Sequence, residues 1–168
     1  MGCYGAPSDG AFGAPSGASS LRPATFDPAI LRGDYRTSGA FVKVTPAAVP
    51  SRAVAGHFVD VWVSVDAAPF YRQLRADGSG SHEAVPEGAT FIREVLDKNG
   101  TVTKITVMSK MAPGYNPDVG DFWWMAADRA GCALADESGP MEGRMPQCHS
   151  CHMARGASGF LFGVGATK

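Results

Sequence analysis

The stretch that decides the fold is FVDVWVSV at residues 58–65. Valine occupies every second position, and Phe, Asp, Trp and Ser stand between the valines. Such alternation is typical of a β-strand whose two faces meet different surroundings, because successive side chains of a strand point to opposite sides. The sequence therefore predicts a strand over residues 58–65, and we extend the prediction outward from it.

Further strands are predicted on both sides of this stretch. Residues 90–96 and 101–109 flank the sequence DKNG, and Asn-Gly between β-branched runs is typical of a hairpin. Residues 67–75 carry apolar side chains at helical spacing. Three more segments have the composition of strands: 41–45 (FVKVT), 122–127 (FWWMAA) and 159–164 (GFLFGV). Since parallel strands need long crossovers, we expect a mainly β (α+β) fold, an antiparallel sheet with short flanking helices.

Length and charge exclude several classes of protein. The chain has 168 residues, the size of one domain. Its 15 Lys and Arg residues are balanced by 16 Asp and Glu residues, for a net charge of −1. Nucleic-acid-binding proteins carry a basic excess or stripe, so no nucleic-acid partner is expected. No apolar run approaches the ~18 residues that read as a membrane-spanning helix, so no membrane span is expected.

The beginning of the chain differs in composition from the rest. Residues 1–24 are rich in Gly, Ala, Ser and Pro, and GAPS occurs twice in them. Side chains this small bury too little surface to offset the entropy of ordering, so we predict a flexible tail over 1–24 and a folded domain over 25–168. Cys3 near the head of such a tail is typical of a processed bacterial lipoprotein, which makes a lipid anchor at Cys3 one interpretation and an incidental cysteine the other.

The motif with the most specific chemistry is Cys148-His149-Ser150-Cys151-His152, which has the C-x-x-C-H pattern of c-type haem attachment. Two thiols three positions apart can reach the two vinyl groups on one side of a porphyrin and form thioethers. The imidazole that follows then reaches the iron. The motif predicts Cys148 and Cys151 as covalent tethers of one haem c, and His152 as the iron ligand.

Two other interpretations of the same residues stay open. A zinc site would use the thiols and histidines, with His57 or His82 in reserve, but structural zinc commonly takes two spaced ligand pairs and no second C-x-x-C exists. A thioredoxin-like thiol pair normally opens a helix in a βαβ unit, which the strand pattern does not predict. Cys132 stands apart from the motif and is interpreted as a buried or spare thiol.

Together with other segments, the motif resembles the cytochrome P-460 haem domain. The resemblance covers roughly residues 34–164. The segments that carry it are Asp34-Tyr35-Arg36, PEGATFIRE at 86–94, TVMSK at 106–110, GDFWW at 120–124 and the C-terminal C-x-x-C-H.

The resemblance implies a mostly antiparallel β fold in a periplasmic, often dimeric protein. It implies one c-type haem with His152 as the only strong protein ligand and an open sixth position. Some members of the family oxidise hydroxylamine, and the related cytochromes c′-beta mainly bind nitric oxide. Export would use a signal that this sequence does not include, since haem attachment in this family takes place outside the bacterial cytoplasm.

One residue departs from the family pattern. Hydroxylamine-oxidising members carry a lysine that bonds to the porphyrin edge, and the alignment puts Arg93 in its place. Arginine keeps its proton and is not a comparable nucleophile, so we expect no porphyrin–lysine cross-link. Arg93 and Phe91 are predicted to lie beside the haem. Further apolar caps over the iron are sought among Phe122, Trp123 and Trp124.

The sequence therefore predicts a monohaem c-type cytochrome that binds small diatomic or nitrogenous ligands such as nitric oxide, or transfers electrons to a redox partner protein. One alternative is a haem-dependent oxidoreductase acting on hydroxylamine or nitric oxide. That enzyme would need a proton acceptor, for which Asp128, Glu137 and Glu142 are the weak candidates. A zinc or thiol module without haem is the other alternative.

Overall fold

The computed structural model describes residues 27–33, 35–79 and 84–164. The predicted tail, Cys3 and His82 lie outside these residues. The strands of the described part are β1 Phe41–Lys43, β2 Val49–Pro50, β3 Phe58–Ser64, β4 Thr90–Leu96, β5 Val102–Lys110, β6 Phe122–Ala127, β7 Ala135–Asp136, β8 Gly139–Pro140 and β9 Glu142–Gly143. The α-helices of this part are α1 Ala68–Gln73 and α2 Pro146–Met153, and neither is long and apolar enough to cross a bilayer.

The strands form one principal sheet in the order β1-β3-β4-β5-β6-β9, with β2 paired to the other end of β3. Every described pairing is antiparallel, which confirms the predicted mainly β (α+β) class. Strands β7 and β8 form a separate small hairpin. The described strands contain no βαβ unit, so the setting of a thioredoxin-like thiol pair is not found among them.

The β4–β5 hairpin turns through DKNG, as its sequence predicted. The side chain of Asp97 accepts hydrogen bonds from the backbone N–H groups of Asn99 and Thr101, at 2.8 and 2.9 Å. Gly100 follows with φ +79°, a conformation that glycine adopts without strain. Beyond the turn, Phe91 pairs with Met108 and Arg93 with Thr106, which fixes the side chains that share a face.

Both faces of the sheet are covered. We call the face that presents Val61, Phe91, Met108 and Trp124 the site face, because α2 lies on this side. The other face, which we call the far face, presents Ile92, Val107 and Trp123. The N-terminal segment covers the far face with Leu31 and Tyr35, so neighbouring residues of one strand are buried on opposite sides.

A buried carboxylate fastens that N-terminal segment to the far face. Glu94 in β4 is 3% exposed and accepts hydrogen bonds from the Tyr35 hydroxyl, from Arg36 Nε at 2.7 Å and from Trp62 Nε1 at 3.3 Å. Arg36 also forms an ion pair with it. Since each of these groups has a partner, the burial of the charge is compensated.

Two sequence predictions are wrong. Residues 159–164 do not form a strand, because Gly159 and Phe160 both have φ +64°, in the left-handed region that breaks an extended chain. Cys132 is disulfide-bonded and is therefore not a spare thiol. The predicted helix over 67–75 is confirmed in its central part, Ala68–Gln73.

Candidate functional site

Helix α2 carries all the residues of the C-x-x-C-H motif. It begins at Pro146, whose fixed φ and missing N–H suit the first position of a helix. Cys148, Cys151 and His152 are separated by three and four positions, so they share one side of the helix. None of the residues of α2 is buried, although the helix lies beside the core of the site face.

The imidazole of His152 is oriented by one hydrogen bond. Its Nδ1 atom lies 2.7 Å from the carbonyl oxygen of Phe160. A carbonyl oxygen only accepts, so the bond places the proton on Nδ1 and leaves the lone pair of Nε2 free. This tautomer is the one that a histidine uses when Nε2 binds a metal and a backbone carbonyl fixes the ring.

The surroundings of His152 keep the ring neutral. Its centroid lies 5.0 Å from that of Phe162 and 5.8 Å from that of Trp124. Burial lowers the pKa of His152, the hydrogen bond to Phe160 raises it, and the charge of Arg93 lowers it further. The net direction is downward, which favours the unprotonated imidazole that a metal ion requires.

Both thiols of the motif are free. Cys148 is half-buried against the core of the site face, while Cys151 is exposed. Burial raises the pKa of the Cys148 thiol, and the charge of Lys104 opposes that rise. Lys104 of β5 pairs with Val95, two positions beyond Arg93 in β4, so it lies on the site face, where α2 also lies.

The other predicted haem neighbours lie on the site face as well. Phe91 is 6% exposed and packs against the rings of Tyr71 and Phe122, with centroids 5.7 and 6.1 Å away. Arg93 stands two positions further along β4 and donates from Nη2 to Ser51 Oγ at 2.8 Å. Among the other predicted caps, Trp123 lies on the far face, away from His152, whereas Trp124 contacts His152.

Two observations test whether these residues fit a haem. Trp124 Nε1 is buried and has no hydrogen-bond partner within the described part of the chain, and such a donor normally finds an acceptor. A haem brings carboxylate oxygens as well as a large apolar surface. No side chain of helix α2 is fully buried, although Cys148 packs against the core of the site face, and a covalently attached haem would cover more of the helix. The donor set of two thiols and one imidazole fits the group.

The described residues give less support to a zinc site. Within 27–33, 35–79 and 84–164, no group of three or more His, Cys, Asp and Glu side chains is arranged to hold a metal ion. Structural zinc takes four protein ligands. A haem iron needs fewer protein ligands, since the porphyrin provides four of its own. His57 has its Nδ1 atom 3.1 Å from the Ala55 carbonyl, at the start of β3.

The three candidate proton acceptors are spread over different surroundings. Asp128 caps a turn, accepting from the N–H groups of Ala130 and Cys132 at 2.8 and 3.0 Å. Glu137 is exposed between β7 and β8. Glu142 pairs with Met125, a residue of the far face, so its side chain shares that face and not the one that meets His152.

The groups that position His152 could not be predicted from the sequence. The Phe160 carbonyl is a backbone atom, and the motif contains no signal for it. The placement of Trp124 beside His152 could have been predicted in part from FWWMAA, because alternation along a strand puts Trp123 and Trp124 on opposite faces.

No protein-family model, curated protein or solved structure matches this chain.

Proposed function

We propose that this protein is a monohaem c-type cytochrome that binds small neutral ligands such as nitric oxide, transfers electrons, or does both. The observation that carries the proposal is the hydrogen bond from His152 Nδ1 to the Phe160 carbonyl, beside two free thiols on the same helix. A thiol pair and a histidine with Nε2 left available are what covalent haem attachment and axial ligation require.

The residues of α2 hold the group in this proposal. Each thiol, of Cys148 and of Cys151, adds across one vinyl C=C bond: a C–S bond forms, the thiol proton ends on the neighbouring carbon, and no oxidant is consumed. His152 Nε2 is the iron ligand, and the Phe160 carbonyl raises its basicity through the Nδ1 proton.

The side chains of the site face set the ligand preference. A bound haem c supplies an iron centre for one-electron transfer and for diatomic ligands. Phe91, Phe122 and Met108 give this face an apolar character. An apolar surface near the iron admits a neutral diatomic molecule, because such a ligand carries no charge to desolvate.

The proposal also includes a cellular location and interaction partners. Haem attachment of this kind implies export, to the periplasm in a bacterium, and electron transfer implies a redox partner protein. A homodimer also remains part of the proposal, as the resemblance suggested it.

The test is expression of the chain together with haem-attachment machinery, followed by mass and absorption spectroscopy after denaturation. We expect the mass of one haem to stay with the wild-type chain. Cys148→Ala and Cys151→Ala together should abolish retention, and His152→Ala should keep the thioethers but change the absorption spectrum of the iron.

A matched control lies in the same motif. His149→Ala changes the other histidine of α2 and should leave both attachment and spectrum unaltered. A wild-type protein that matures without colour and with two titratable thiols would contradict the proposal. Turnover of hydroxylamine above that of free haem would instead assign the oxidoreductase activity.

A further inference from the structure

Three arginines meet beside the site face without a carboxylate partner. Arg93 donates to Ser51 Oγ at 2.8 Å, Arg52 to the Ala76 carbonyl at 2.7 Å, and Arg155 to the Asp77 carbonyl at 3.2 Å. All three partners are neutral. In the described part of the chain, none of the three guanidinium groups forms an ion pair. We call Arg52, Arg93 and Arg155 the arginine cluster.

Two of the three partners of the arginine cluster are adjacent residues of one turn, and the third is the neighbour of Arg52 in sequence. Arg52 and Arg155 bind the carbonyls of adjacent residues, Ala76 and Asp77. Arg93 binds Ser51, the residue before Arg52. The guanidinium groups of Arg52 and Arg155 therefore bind the same short turn, and Arg93 is linked to Arg52 through the neighbouring Ser51.

A second set of contacts places the arginine cluster next to the haem-binding residues. Arg155 Cζ lies 4.8 Å from the ring centroid of Phe162, which contacts His152. The Tyr71 hydroxyl donates to the Phe162 carbonyl at 2.7 Å. Burial raises the pKa of Tyr71 and the charges of Arg93 and Arg52 oppose that rise, so both guanidinium groups act on the same hydroxyl.

Within the described residues, the charges of the two sides of the sheet are compensated differently. Glu94, the neighbour of Arg93 in β4, has its charge compensated by Arg36 on the far face. Arg93 is half-buried, and desolvation lowers its pKa. The Asp77 carboxylate is engaged by the N–H and the hydroxyl of Ser79, at 2.8 and 2.7 Å. A partly buried guanidinium with neutral partners retains donors that bind carboxylates in a fork geometry.

We propose that the arginine cluster is a carboxylate-binding site, with the propionate groups of the haem as its first ligand and a free carboxylate as the other source of the same chemistry. Binding of haem propionates rests on the proposed function, whereas binding of a free carboxylate does not. Arg93 and Arg52 provide forked donors, and Arg155 is held at the edge by the Phe162 ring.

Two arms of one experiment separate the sources. The first measures the reduction potential of the haem-loaded protein in wild type, Arg93→Gln and Arg52→Gln. If propionates are bound, each variant should have a lower reduction potential, because removing a positive charge favours the oxidised iron.

The second arm compares acetate with chloride at equal ionic strength and follows the thermal unfolding of the protein. If a free carboxylate is bound, acetate should stabilise the wild type saturably, with roughly tenfold weaker affinity in Arg93→Gln, the factor for one charge-assisted hydrogen bond.

The control is Arg72→Gln, an exposed arginine of α1 outside the cluster, which should change neither measurement. An unaltered potential in both cluster variants, together with no saturable acetate effect on the wild type, would overturn the proposal. Covalent haem is verified by mass beforehand. If none is attached, the proposed function fails, and the acetate arm on the haem-free wild type still decides whether the cluster binds a carboxylate.

Discussion

The ring of Phe160 lies directly against Gly120: a β-carbon built at position 120 would stand 2.8 Å from Cε2 of that ring. Gly120 has φ +68° and closes a short 3-10 helix, Pro117–Val119, before β6. Phe160 is itself in the left-handed region, with φ +64°, and its carbonyl accepts a hydrogen bond from His152 Nδ1. The orientation of the His152 ring therefore depends on a glycine far from it in the sequence.

Gly120→Ala should destabilise the protein and disturb His152. The methyl group collides with the Phe160 ring and also occupies an unfavourable φ, so we expect a loss of about 2 kcal/mol in the free energy of unfolding. Urea unfolding measures it. In the haem-loaded protein the same variant should shift the absorption bands of the iron, since the Phe160 carbonyl moves with its ring.

Gly114→Ala is the control for Gly120→Ala, because it introduces backbone strain without a steric collision. Gly114 has φ +91° but no heavy atom within 4 Å of a built β-carbon. It should cost about 1 kcal/mol from backbone strain alone and leave the spectrum unaltered. Equal losses in both variants would show that the contact with Phe160 has no energetic role.

The far-face carboxylate gives a second prediction. Glu94→Ala leaves the Tyr35 hydroxyl and Trp62 Nε1 without their acceptor, so it should cost about 3 kcal/mol in the free energy of unfolding. Arg36→Gln should cost about 1 kcal/mol, because the Arg36 side chain is 48% exposed and water replaces its partner. Chemical denaturation measures both. A smaller loss of stability for Glu94→Ala than for Arg36→Gln would show that Glu94 is not the shared acceptor of these hydrogen bonds.

Much of the sheet could be predicted from local patterns. Residues 58–64, 90–96 and 122–127 form strands where composition, alternation and the DKNG turn predicted them. Each signal acts over neighbouring residues: period two for a strand, Asn-Gly for a hairpin. The C-x-x-C-H motif is local in the same sense, since all of its residues lie within one helix.

What could not be predicted depends on contacts distant in sequence. The GFLFGV segment is apolar, but Gly159 and Phe160 are left-handed, and the Phe160 carbonyl accepts a hydrogen bond from His152. Composition does not distinguish an apolar strand from an apolar irregular segment. The arginine cluster draws on the loop before β3, on β4 and on the end of α2, and no local pattern joins them.

The unpartnered indole gives a third prediction. Trp124→Phe removes packing but also removes the buried Nε1 that has no acceptor in the described part of the chain. The two effects oppose each other, so the haem-free protein should lose within about 1 kcal/mol. Trp123→Phe, an equally buried tryptophan of the far face, should cost about 1–2 kcal/mol more. Equal losses for Trp124→Phe and Trp123→Phe in urea unfolding would show that Trp124 Nε1 has a hydrogen-bond partner in the folded protein.

The turn carboxylate of Asp97 makes the stability depend on pH. Hydrogen bonds from Thr101 and Asn99 lower the pKa of Asp97 in the folded protein. Its contribution is therefore present above the unfolded value of about 3.9 and is lost as the pH falls through the lower folded value. We expect Asp97→Asn to be less stable than the wild type at pH 7 and the difference to shrink below pH 4. Urea midpoints at the two pH values measure this, with exposed Asp118→Asn as the control. A difference that stayed constant with pH would mean that the turn does not depend on the charge of Asp97.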